Sequence, residues 1–235
     1  MTEQEPPQSD APEPRRAKYQ AVAALLKAKY GDPQWRKHLP PADELVSTIL
    51  SQNTNDGNRD RAFERLRARF PTWEAVRDAP PAEVVEAIRP AGLANQKGPR
   101  IQAALRYLTE SRGSITLDHL EDMPLEEARA WLTGIDGVGP KTAAIVLLFA
   151  LGRPAFPVDT HVHRVSRRLG LIAPTMSAEA AHAELEALVP PEDYYAFHLN
   201  MIAHGRAICH ARSPACARCP LTAHCDYYQA AQAPQ

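Results

Sequence analysis

All four cysteines of this 235-residue chain fall within its last 27 positions, at Cys209, Cys216, Cys219 and Cys225. Their spacing is C-x6-C-x2-C-x5-C. Four thiolates in one short loop can converge on a compact site, so the end of this chain folds around whatever they hold. Chemistry alone leaves a zinc ion and an iron–sulfur cubane open. Zinc ribbons favour two C-x2-C pairs, and only one is present. Disulfides are the poorer reading, because the rest of the chain reads as cytosolic. No apolar run approaches the ~18 residues needed to cross a bilayer, and no charged-then-apolar signal pattern opens the sequence. Cytosolic chains seldom use disulfides.

The net charge of −1 says little about partners, but its distribution says more. Residues 1–14 hold four acids and no base until Arg15, are rich in proline and show no periodicity, so they read as a disordered tail. Without them the chain has 27 basic against 24 acidic residues. Arginines cluster over 59–112, 153–168 and 206–218, and a basic face of that kind can follow a phosphate backbone.

Helical periodicity dominates, with no convincing alternating strand and no internal repeat, so the expected class is all-α. A helix from Arg15 to Tyr30 carries Val22, Leu25 and Leu26 on one face and stops at Gly31. Asp43 to Leu50 starts a second, broken by the turn residues Asn53-Thr54-Asn55-Asp56-Gly57. Further helices are expected at about 58–69, 81–88, 97–110 and 124–133. The run from Pro140 to Leu151 is apolar nearly all round and reads as one buried helix. Asp159 to Leu169, Ser177 to about Leu188 and Tyr194 to Ile208 complete the set, before the cysteine loop.

The hairpin Gly137-Val138-Gly139 before the buried helix has a physical logic. The glycines permit positive φ and close approach of backbone to a ligand. Val138 can plug into the core, and Pro140 suits a first helical turn. Amides at that helix start would face an anion such as a DNA phosphate. Lys141 follows at the mouth of the apolar helix, where the helix dipole and partial burial both favour the neutral, nucleophilic amine. Asp159, in Val158-Asp159-Thr160-His161, reads as an N-cap whose carboxylate could also stabilise positive charge or assist proton transfer.

The segment Leu132–Ala143 resembles the helix-hairpin-helix of the endonuclease III superfamily of DNA glycosylases. The V-D-T-H run is similar to that family's catalytic aspartate motif, and the cysteine spacing matches its [4Fe–4S] loop. The resemblance covers about Arg15 to Tyr228. It implies a six-helix barrel over 33–152 and an iron–sulfur cluster domain made of 15–32 with 153–228, flanking a DNA-binding cleft, with a flexible end at 229–235. It further implies Lys141 as nucleophile and Asp159 as its carboxylate partner. The implied reaction is removal of oxidised pyrimidines from damaged double-stranded DNA through a Lys141 Schiff base, followed by β-elimination. Gln52 or Asn53 would fill the gap left by the flipped base, and Leu93 would intercalate. His161 would line the pocket, and His163 would be structural. Gly137, Val138, Gly139, Arg164, Arg206 and Arg212 would contact DNA. The cluster would be structural and DNA-binding, in a cytoplasmic, nucleoid-associated monomer with no membrane attachment.

Three positions depart from the family pattern. Asp136 stands where the hairpin usually has Pro, Pro140 where a basic residue precedes the lysine, and Ala94 where Tyr is frequent. They bear on base preference more than on reaction class. Within the family, a uracil or thymine-mismatch glycosylase is the alternative. Outside it stand a non-catalytic lesion-binding module and a redox sensor built on the cluster.

Overall fold

The computed structural model describes residues 13–232, and among them all regular structure is helical. Residues 1–12 of the expected acidic tail, and 233–235, lie outside the described residues. Two compact units divide the chain. One is Arg36–Arg153, and the other joins the chain up to Trp35 with the chain from Pro154 onward.

In the Arg36–Arg153 unit the sequential helices are α2 (Pro41–Ser51), α3 (Asp56–Arg69), α4 (Trp73–Asp78), α5 (Pro81–Ala87), α6 (Ala94–Arg112), α7 (Leu125–Thr133) and α8 (Pro140–Ile145). Helix α2 is the central rod. Leu45, Val46, Ile49 and Leu50 are fully buried and meet α3, α6 and α8. Each such side chain contributes about 1.5–3 kcal/mol by leaving water. Polar threads fix the outer helices. Trp73 Nε1 donates to Asp43 Oδ1 at 2.7 Å, and Gln102 Nε2 donates to the carbonyls of Val76 and Ala79 at 3.0 and 2.8 Å.

Two features differ from the expected helices. The six-residue α4 is too short for a periodic signal; Thr72 caps it by accepting from Ala75 N–H at 3.1 Å. The expected single helix from Pro140 to Leu151 changes winding, because α8 passes into a π-helical turn over Val146–Ala150. A run apolar on every side has no stripe that enforces a 3.6-residue period, so packing sets the local winding.

The other unit holds α1 (Glu13–Tyr30), α9 (Thr160–Leu169), α10 (Ala180–Leu188), α11 (Tyr194–Ala207) and α12 (Asp226–Gln232). Helix α1 starts two residues before the expected Arg15. It buries Tyr19, Val22 and Leu26 at helical spacing and ends at Gly31, whose φ is +93°. It packs on α10 and α11, and α9 packs on α11. Phe156 anchors the aromatic core against Tyr194 and Phe197. Helix α12 runs through Gln232, into the stretch expected to be flexible. None of the described helices is long and apolar enough to cross a membrane.

Candidate functional site

The hairpin is held from within and left open on its outer side. Val138 is buried, and its N–H donates to Ile135 O at 3.0 Å. Gly137 sits at φ +79°, and a Cβ there would stand 2.9 Å from Arg100 Cδ. Gly139 is the N-cap of α8 with φ −92°, and a Cβ on it would meet nothing within 4 Å. Pro140 occupies the first position of α8, and the half-buried Lys141 the second. The two glycines therefore separate experimentally. Gly137→Ala should cost about 1–2 kcal/mol through its left-handed backbone. Gly139→Ala should change stability by less than about 0.5 kcal/mol yet weaken binding to duplex DNA, because the only thing its methyl can obstruct is an outside ligand. Unchanged affinity in a filter-binding titration of Gly139→Ala would place the hairpin off the interface.

Gln52 and Asn53 take different jobs. Gln52 is half-buried, and its Nε2 donates to Gly137 O at 3.1 Å, so it braces the hairpin. Asn53 is exposed with φ +51°. Leu93 is also left-handed, at φ +50°, and is 48% exposed. An apolar side chain held outward on a conformation disfavoured for L residues is not explained by core packing.

Glu44 was not singled out by the sequence, although an acid in an apolar helix was the available signal. It is only 8% exposed, and Thr48 Oγ1 donates to its Oε1 at 3.4 Å. Burial raises its pKa; the Thr48 hydrogen bond and the positive charges of Arg59 and Lys141 oppose that shift. The folded protein thus holds this proton more tightly than the unfolded chain. Its stabilising contribution is complete below the ordinary glutamate pKa and is lost as pH rises through the raised value. Glu44→Gln should therefore have a higher Tm than the parent at neutral pH, with the gap closing in acid. A gap independent of pH in a melting series would refute this assignment.

In the other unit Asp159 caps α9. Its Oδ1 accepts from the N–H groups of His161 and Val162 at 2.9 and 2.7 Å. Its Oδ2 accepts no hydrogen bond among the described residues. His161 is half-buried, and burial lowers its pKa. His163 Nε2 pairs with Met176 O at 2.8 Å, a structural contact. Arg164, expected to contact DNA, is partly exposed and braces its own unit. It donates to Cys209 O and Gly205 O at 2.9 Å each and lies 3.0 Å from His161 Nδ1. Arg206, in the last turn of α11, and Arg212, on the cysteine loop, are exposed.

The cysteines form no disulfide, and all four line one pocket with Val165, Leu169, Ile208 and Leu221. Donors point at the sulfurs. Arg168 Nη1 lies 3.2 Å from Cys209 Sγ, and Leu221 N–H lies 3.4 Å from Cys219 Sγ. Arg168 also donates to His210 O at 2.7 Å and Ala211 O at 3.0 Å, and the sequence reading did not single it out. Burial pushes the Cys219 and Cys225 thiols up, and the neighbouring cysteines add to this. A positively charged metal core is what would turn such a set into thiolates, and hydrogen bonds would then stabilise their charge. The residues fit an iron–sulfur cluster.

The family description "HhH-GPD superfamily base excision DNA repair protein" matches residues 46–191, and "Iron-sulfur binding domain of endonuclease III" matches 209–225. Endonuclease III of Thermotoga maritima is 36% identical over 176 residues, covering 75% of this chain and 78% of that one. A relative from Arabidopsis thaliana is 38% identical over 164 residues, 70% of this chain but 56% of its own length. The solved structure of a trapped endonuclease III–DNA covalent intermediate aligns with a TM-score of 0.81 at 29% identity, covering 93% of this chain and 99% of that one. With a glycine hairpin leading into α8 and a four-cysteine pocket after α11, the chain belongs to the HhH-GPD superfamily of base excision DNA repair proteins, as an endonuclease III-type member with a [4Fe–4S] domain.

Proposed function

We propose that this protein is a bifunctional DNA glycosylase and abasic-site lyase that removes oxidised pyrimidines from duplex DNA. The observation that carries the reading is Lys141, half-buried at the start of α8 directly after the Gly137-Val138-Gly139 hairpin. A primary amine there can do what a bound water cannot, which is to remain bonded to the sugar after the base has left.

The damaged nucleotide is flipped out of the stack. Asn53 and Leu93 occupy the helix it leaves, while the hairpin amides, Arg206 and Arg212 hold the backbone. Lys141 Nζ forms a bond to the sugar C1′ as the bond from C1′ to the base breaks. The base departs with the electron pair and takes up a proton. The carboxylate of Asp159 stabilises the positive charge on the sugar and accepts a proton from the attacking amine. Opening of the sugar ring gives an iminium. Loss of a C2′ proton then expels the 3′ phosphate and nicks the strand, and water releases the lysine. Cys209, Cys216, Cys219 and Cys225 would hold the cluster, which would order the loop that carries Arg212.

A set of duplexes carrying thymine glycol, dihydrouracil, uracil, a mismatched thymine or an abasic site, with and without borohydride, tests this reading. The expected result is cleavage and covalent trapping on the oxidised pyrimidines and the abasic site. Release of uracil or mismatched thymine, with the oxidised pyrimidines left intact, would establish the uracil or thymine-mismatch glycosylase instead. Lesion binding with no product would leave a recognition module.

A further inference from the structure

Lys97, in the first turn of α6, is 1% exposed, and no other lysine or arginine is buried among the described residues. Its Nζ donates to Leu50 O and Ala91 O, at 2.8 Å each. Burial lowers its pKa, and no acidic side chain acts against that. An ammonium without a counter-charge is a costly way to fill a core, so packing alone does not account for a lysine here.

Both carbonyls belong to helix ends. Leu50 lies in the last turn of α2, and Ala91 closes the 3-10 turn Arg89–Ala91. Such carbonyls lack partners within their own helix and sit at the negative end of its dipole. One cation thus caps two helices at once. A short way beyond each cap a residue other than glycine takes a left-handed backbone, Asn53 three residues after Leu50 and Leu93 two residues after Ala91, next to the left-handed Gly92. The N–H of Lys97 also donates to Leu93 O at 3.0 Å, so the side chain and backbone of one residue tie both segments.

We propose that Lys97 is a positioning residue that locks the Asn53 and Leu93 segments in register with each other, so that both side chains meet the duplex already shaped to replace an extruded nucleotide. This rests on the reading of Asn53 and Leu93 as the groups that enter DNA. A rigid pair lowers the barrier to extrusion most where a base must be unpaired and unstacked, and least at an abasic site, where no base is left to move.

The test uses the full-length, cluster-loaded protein and the variants Lys97→Met, Lys97→Gln and Lys97→Arg. Single-turnover release of thymine glycol from a duplex is compared with cleavage at a preformed abasic site. Lys97→Met should slow base release on the order of 10–100-fold, with abasic cleavage falling no more than about threefold. Lys97→Gln, a shorter donor, should lie between, and it carries the test if Lys97→Met does not fold. Lys97→Arg should restore most of the rate. Hydrogen exchange on the DNA-free protein should quicken at 52–54 and 92–94 and not elsewhere. Equal slowing of both reactions, or faster exchange throughout α2 and α6, would reduce Lys97 to a core residue. Parental rates and exchange in Lys97→Met would overturn the proposal. The exchange measurement needs no substrate, so it decides the clamp even if the parent releases no thymine glycol and the enzymatic reading fails.

Discussion

Lys141→Gln is expected to form no borohydride-trapped adduct with abasic DNA and to lose strand cleavage by at least about 10³-fold. Glutamine matches much of the length and polarity of lysine but cannot become an iminium. The loss therefore falls on bond formation and not on shape. Folding should survive the change. A cation in the first turn of α8 opposes the helix dipole, and relieving that opposition alone favours the variant by about 0.3–1 kcal/mol. Lys141 also lies near enough to Glu44 to offset the rise in that carboxyl's pKa. With the lysine gone, the Glu44 proton should be held more tightly still, and the stability of the variant should fall off with pH at a higher pH than the parent's. Duplex binding should persist, since Gly139, Arg206 and Arg212 are untouched. An adduct that still forms in Lys141→Gln would mean that another amine is the nucleophile.

The parts of this site that could be read in advance are those encoded over a few consecutive residues. Gly137 needs to be glycine because of a local backbone path, and Asp159 caps the helix that begins one residue later. Four cysteines within seventeen residues are close enough along the chain to share a pocket, and they do. What stayed hidden is tertiary. Lys97 sits in Asn95-Gln96-Lys97-Gly98-Pro99-Arg100, a stretch that reads as a solvated surface, and only the arrival of Leu50 O and Ala91 O shows that it is buried. Arg164 looks the same in sequence whether it faces phosphate or reaches Cys209 O, because a guanidinium satisfies either set of acceptors. Gln52 and Asn53 are adjacent and chemically alike. Their division into brace and probe follows from the left-handed turn at Asn53, which sends the two side chains different ways.

Asp159→Asn should separate the two duties of that residue. Asparagine caps helices about as well as aspartate, and its single carbonyl oxygen can accept both N–H groups that Oδ1 now accepts. Stability should therefore stay within about 1 kcal/mol of the parent, the residual loss being the missing charge at the helix N-terminus. Base release should nevertheless fall about 10²–10⁴-fold, because an amide neither takes a proton nor offsets positive charge on the sugar. Asp159→Ala loses the cap as well and should melt lower by about 0.5–2 kcal/mol, with a similar catalytic defect. The contrast is informative because Oδ2 accepts no hydrogen bond among the described residues. One oxygen holds the helix while the other is left to act on whatever the site binds. If Asp159→Asn releases base at the parental rate while Asp159→Ala does not, the carboxylate is a cap alone, and the charge on the sugar must be met by another group.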